Sequence, residues 1–216
     1  MSTANDFTGL LEPAVDIART AGEKILEIYN SDFAVEEKDD RSPLTAADMA
    51  SHHAIIDGLK ALTPDIPVLS EESKSLPFEE RSGWQTYWLV DPLDGTREFI
   101  KRNGEFTVNI ALIRYHYPIL GVVHVPVRGT TYTGLVGKWA SRHNADGTMD
   151  HIRVRKPCAD PVAVVGSRST GAAQFIAGGA RCSIDAFFIA RLSHDRKGRA
   201  ADRFPAAALR GVTKPI

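Results

Sequence analysis

With 216 residues, 43% hydrophobic and 25% charged, the chain is long enough to bury a core and has the balance of an ordinary globular protein. No apolar run reaches the length of a bilayer span, "MSTANDFTGLLEP" lacks the order of a signal peptide, and Cys158 and Cys182 have no metal-site spacing, so a cytoplasmic protein with reduced thiols is expected. The net charge of −1 conceals a basic end, +5 over residues 171–216, but that end has no regular basic helix face and no interleaved aromatics, which excludes a nucleic acid polymer as the expected partner.

Leu11, Val15, Ala18, Gly22, Ile25 and Tyr29 recur every three to four positions, the period of an amphipathic helix, and Asn30-Ser31-Asp32 breaks it. A second helix starts near "SPLTAAD", with Thr45 as its cap and Asp48 answering the helix dipole. Met49, Ile56, Leu59 and Leu62 form its apolar stripe, and Pro64 stops it. The texture then becomes strand-like. "IPVLSE" and "TYWLVD" are short apolar runs that each end on a carboxylate. "FTVNIALIR" alternates Phe106, Val108, Ile110 and Leu112 on one face, and "PILGVVHVPV" follows the turn-prone "YHYP". "TTYTGLV", "HIRVR" and "VAVVGS" bring the set to about seven strands. Two helices followed by a strand meander predict an α+β fold with mostly antiparallel pairing. Beyond Ser169 the pattern weakens. "IDAFFIARL" holds two helical turns at most, and the rest is rich in Ala and Arg.

The chemistry gathers at "LVDPLDGTREF". Pro92 holds Asp91 extended and Gly95 permits a tight turn, so Asp91, Asp94 and the Leu93 carbonyl can face one point. Taken alone, an acidic surface turn and a grip on magnesium explain these residues equally. "VLSEE" adds Glu71 and Glu72 at a strand end, and "TAAD" adds Thr45 and Asp48 at a helix start. Carboxylates delivered by three separated segments are what a multi-metal phosphoryl-transfer site requires, and Thr96 stands where it can share with Asp48 the orientation of an attacking water.

Other features are weaker. His52-His53 has no HExxH context and reads as surface, and "TGLVGKW" is not a P-loop. Trp84, Trp88 and Trp139 read as core or rim, while Lys101 and Arg102 fit either an anion-attracting loop or a solvated one.

"SPLTAAD", "PVLSEE", "YWLVDPLDGTREFIKRNGEFTVNIALI" and "PILGVV" together resemble the inositol monophosphatase-like superfamily of magnesium-dependent, lithium-sensitive phosphatases. Within it, "DGTREFIKRNGEFTVNIALI" is similar to the bacterial 3'(2'),5'-bisphosphate nucleotidases; inositol monophosphatases have Thr-Asn-Phe where this chain has Arg97-Glu98-Phe99. The resemblance implies a layered α/β sandwich of the inositol monophosphatase and fructose-1,6-bisphosphatase type with its second half truncated. Residues 1–160 would be the metal-binding α+β half, and 161–216 a remnant of the C-terminal α/β half, divergent after 170. It implies Glu71, Asp91, the Leu93 carbonyl and Asp94 as metal ligands, and Asp48 and Thr96 as the groups that orient the water. Glu71 and the Leu93, Asp94, Gly95 and Thr96 turn would bind substrate. "GSRS", Gly166 to Ser169, matches the segment leading into the nucleotide-holding half. Two or three Mg2+ ions are implied for a complete site, but the Trp-Asp-x-Ala-Ala-Gly motif whose aspartate completes it does not occur in this chain. The implied activity is removal of the 3'-phosphate from 3'-phosphoadenosine 5'-phosphate (or its sulfated relative) in sulfur assimilation. Its implied location is the cytoplasm or the inner face of the plasma membrane. Inositol or sugar phosphates, a non-catalytic metal-binding product, and a homodimer covering an exposed edge remain the alternatives.

Overall fold

A computed structural model describes residues 7–31, 43–73 and 76–153. The Thr8–Leu10 turn leads into α1, Leu11–Tyr29, and α2 spans Pro43–Leu62. Then come β1 (Val68–Ser70), the short α3 (Phe78–Arg81), β2 (Thr86–Asp94) and α4 (Thr96–Ile100). The meander β3 (Thr107–Arg114), β4 (Tyr117–Val125), β5 (Thr130–Leu135), β6 (Ala140–His143) and β7 (Met149–Ile152) completes the described part. The seven strands form one sheet in chain order; β1 runs parallel to β2, and every other neighbouring pair is antiparallel.

The α+β class and the antiparallel meander agree with the sequence reading, with four corrections. α2 begins at Pro43, so Thr45 lies inside the helix rather than capping it; proline suits a first helical position because it has no N–H to satisfy there. The buried face of α2 is Ala47, Ser51, Ile55 and Leu59; of the expected stripe Leu59 is buried and Leu62 packs against the core, while Met49 and Ile56 are only half-buried. Small residues face inward where the helix crosses the end of β2. β2 also does not stop at Asp91, where "TYWLVD" ends, but runs on to Asp94, with a register shift between Asp91 and Asp94. Finally, Ala140–His143 pairs as a strand that its mixed composition does not announce. "VAVVGS", "IDAFFIARL", both cysteines, "GSRS" and the boundary at 160 lie outside the described residues. Among those described, no helix is long and apolar enough to cross a membrane.

α1 packs on β3, β4 and β5, and α2 packs on α1 and β2. Alternate residues of the strands meet them: Trp88, Val90, Val108, Ile110, Leu112, Leu120 and Val122 are all buried. Trp88 fixes the indole by donating from Nε1 to Thr63 Oγ1 at 2.9 Å, just past the end of α2. Tyr29, Phe99 and Phe106 form an aromatic triangle with centroids 5.0 to 5.5 Å apart, which ties α4 to the end of α1 and the start of β3. Such tilted and edge contacts suit the ring quadrupoles.

Two close approaches depend on glycine. A Cβ at Gly22 of α1 would lie 2.6 Å from Cδ2 of His124, so the helix rests directly on that ring. Gly95, between β2 and α4, has φ of 103°. A Cβ there would lie 3.0 Å from the Glu105 carbonyl oxygen and 3.1 Å from Phe106 Cα, backbone that cannot yield. Gly95→Ala is therefore expected to lower unfolding free energy by about 2–4 kcal/mol, measured by urea titration.

His124 is buried, with Nδ1 2.9 Å from Thr131 Oγ1. Burial, and then the Arg19 charge, push its pKa down from 6.5 to about 4, against a weaker opposing hydrogen bond with the Thr130 backbone. The unfolded chain binds this proton below pH 6.5 while the folded chain refuses it until about pH 4, so stability falls as pH drops through that window. Between pH 6.5 and 4.5 the parent should lose about 2–3 kcal/mol more than a His124→Asn variant in denaturant titrations at the two pH values.

Candidate metal centre

Parallel pairing determines the site. Ser70, the last residue of β1, lies opposite Val90, and the Glu71 N–H donates to the Val90 carbonyl at 3.1 Å. Parallel strands finish at the same edge of a sheet, so Glu71 emerges beside Asp91. Asp94 follows on the same strand, where Asn109 Nδ2 on β3 donates to its Oδ2 at 3.2 Å. Asp48 approaches from the first turns of α2.

The bulge in β2 supplies the remaining geometry. Pro92 and Leu93 have no pairing partners in β3, and Pro92 has no N–H to give. Carbonyls two residues apart point to the same side of a strand. Val90 is served by Glu71, and the Pro92 carbonyl, two residues on, accepts a hydrogen bond from the buried Ser51 Oγ at 2.7 Å. Helix α2 thus takes over where β1 leaves the sheet. One residue along the helix, His52 Nδ1 stands 2.9 Å from Ser70 Oγ.

The electrostatics show the convergence directly. Burial first, then the charges of Asp94, Glu71 and Asp48, hold the Asp91 carboxyl far above the ordinary carboxylate range, and a hydrogen bond with the Glu71 carboxyl adds to this. Burial, then Glu72 and Glu71, raises Asp48 to about 7. Five carboxylates from α2, β1 and β2 therefore share one field, a crowding of like charge that a cation would relieve. Among the described residues no three His, Cys, Asp or Glu side chains form a ready-made ligand shell. The donors are nonetheless hard oxygens in excess negative charge, with Asp48, Asp91 and Asp94 half-buried and Glu71 and Glu72 exposed, and they fit a divalent cation of the magnesium type.

Of the residues singled out in the sequence, Asp48, Glu71, Asp91 and Asp94 come together here. Leu93 lies between the two aspartates with its side chain in the core. Gly95 and Thr96 form the entry to α4, which touches α2, the helix that carries Asp48. Arg102 is occupied with the fold: it donates to the Ser31 carbonyl at 2.9 Å and lies over the Tyr29 ring. His52 is partly exposed, and it also meets the buried Ser70 hydroxyl, which the sequence reading did not foresee. Its spacing of four from Asp48, and that of three for Ser51, was the available signal, since all three share one helix face. Asn109 was legible only as a polar break in an apolar strand.

The model of the inositol monophosphatase family matches residues 6–175. The 3'(2'),5'-bisphosphate nucleotidase CysQ of Escherichia coli K12 is 52% identical over 163 residues, which are 74% of this chain and 64% of that protein. The protein of the same name from Haemophilus influenzae is 43% identical over 132 residues, 61% of this chain and 48% of that one. The chain thus spans somewhat less than two thirds of the length of the curated relatives it matches. In solved structures, CysQ from Bacteroides thetaiotaomicron superposes with a TM-score of 0.60 at 48% identity, covering 64% of this chain and 50% of that one. The suhB protein of Bartonella henselae gives 0.56 at 27% identity, covering 68% and 55%. With the family model and these relatives agreeing over the segments that build the carboxylate cluster, the chain belongs to the inositol monophosphatase family.

Proposed function

We propose that this chain is a magnesium-dependent phosphomonoesterase that removes the 3'-phosphate from 3'-phosphoadenosine 5'-phosphate, leaving the 5'-monophosphate, in a cytoplasmic role tied to sulfur assimilation. The observation that carries the reading is the meeting of Glu71, Asp91 and Asp94 with Asp48 across from them. Support for the substrate comes from the relatives named as 3'(2'),5'-bisphosphate nucleotidases and from the stretch around Arg97-Glu98-Phe99.

Glu71, Asp91, Asp94 and the Leu93 carbonyl would hold the metal, which when bound lowers the pKa of a water and stabilises the leaving oxygen. Asp48, with its carboxyl held near neutrality, is suited to accept a proton from the attacking water, and the Thr96 hydroxyl would fix that water's direction. The turn from Leu93 to Thr96 would present backbone N–H groups to the phosphate, with Glu71 beside it. Ser51 and Asn109 keep the bulge and the Asp94 carboxylate in place.

The second reading is a metal-binding product with little or no turnover; its one supporting observation is that, among the described residues, no three His, Cys, Asp or Glu side chains form a ligand shell. Phosphate release from 3'-phosphoadenosine 5'-phosphate, with inositol 1-phosphate in parallel, separates the two. The catalytic reading expects magnesium-dependent, lithium-inhibited release from the nucleotide, reduced about a hundredfold or more in Asp91→Asn. Release no faster than that variant leaves only the metal-binding reading, and a preference for inositol phosphate overturns the substrate assignment. In chelator, Asp91→Asn should melt above the parent because it removes one like charge from a buried cluster, and added magnesium should reverse that order.

A further inference from the structure

Strand β1 has three residues and, among the described residues, pairs with β2 alone, yet its end leads into Glu71 and Glu72. Among the described residues so short a strand contributes few ladder bonds, the last being Glu71 N–H to the Val90 carbonyl at 3.1 Å, and the turn that follows is closed by Ser73 N–H to the Ser70 carbonyl at 3.2 Å. The structure supplies a second anchor. Ser70 is buried at 5% exposure, and its hydroxyl meets His52 Nδ1 at 2.9 Å across 18 residues of sequence. His52 follows Asp48 by four positions, so the helical turn that presents Asp48 also holds the residue before Glu71. His53 packs edge-on against the His52 ring, with centroids 5.5 Å apart, and restricts its rotation.

We propose that His52 is a positioning residue of the metal centre: through the Ser70 hydroxyl it locks the Glu71 end of β1 to the Asp48 turn of α2. This rests on the metal-centre reading above. His52 itself donates nothing to the metal; it sets the distance between two carboxylates that arrive on different elements. Groups that orient a ligand from behind commonly account for tenfold to a hundredfold in metal affinity.

The test uses the full chain and Mn2+ alone, with binding followed by electron paramagnetic resonance and melting recorded in chelator. His52→Ala and Ser70→Ala should each weaken Mn2+ binding about tenfold or more. The double variant should be no weaker than either single one, because both remove the same link. His52→Asn, which restores a polar atom near the Nδ1 position, should bind within about threefold of the parent, a rescue that a purely packing role would not give. If His52→Ala does not fold, Ser70→Ala carries the comparison, since it leaves the helix untouched. Parent-like Mn2+ binding by the folded His52→Ala or Ser70→Ala variant, with Asp91→Asn abolishing it, overturns the positioning role while the metal centre stands. Absence of saturable Mn2+ binding by the parent overturns the metal centre and this inference with it.

Discussion

The parallel pairing of β1 with β2 is the constraint on which the carboxylate cluster depends. Had β1 run the other way, Glu71 would have left the sheet at the edge opposite Asp91. Because Ser70 lies opposite Val90 in a parallel register, both acids appear at the same edge, where α2 adds Asp48. The consequence is an assembly that opposes itself: burial and mutual repulsion raise Asp48 and Asp91 together. Such crowding persists only because the elements delivering it are fixed by a core that does not involve the acids.

That core is built for close approach. α1 brings Gly22 onto His124, and α2 buries the small Ala47 and Ser51 in its first half ahead of Ile55 and Leu59. The same economy explains the bulge. Pro92 and Leu93 leave the ladder, and a serine on the helix takes the proline carbonyl that β1 can no longer reach. Gly95, in the left-handed region, then redirects β2 into α4, with Phe99 seated against Tyr29 and Phe106. Packing and site geometry are therefore one arrangement, since each link that positions a carboxylate also closes a backbone or fills the core.

Much of this was legible before any fold was known. The stripe from Leu11 to Tyr29 is the helix observed, and the alternation in "FTVNIALIR" correctly separates Val108, Ile110 and Leu112 from the other face. Asp48, Glu71, Asp91 and Asp94 were visible as carboxylates at element ends. The inward face of α2 was legible only in part: Leu59 lies on it as expected, but Ala47 and Ser51 were passed over because periodicity ranks residues by hydrophobicity. His52 was missed for a related reason: a histidine without a ligand pattern carries no sign of the serine it will meet.

The sequence by itself determined the class of fold, the family and the identities of the acids, because these reside in local periodicity and in short motifs. Only the tertiary structure decided that β1 lies parallel to β2, that "DPLD" is bulged strand rather than free turn, and that Ser51, His52 and Asn109 reach Pro92, Ser70 and Asp94. Those three act through partners 41, 18 and 15 residues away in the chain. Contacts at such separations are set by how helices and strands stack, which no local pattern encodes.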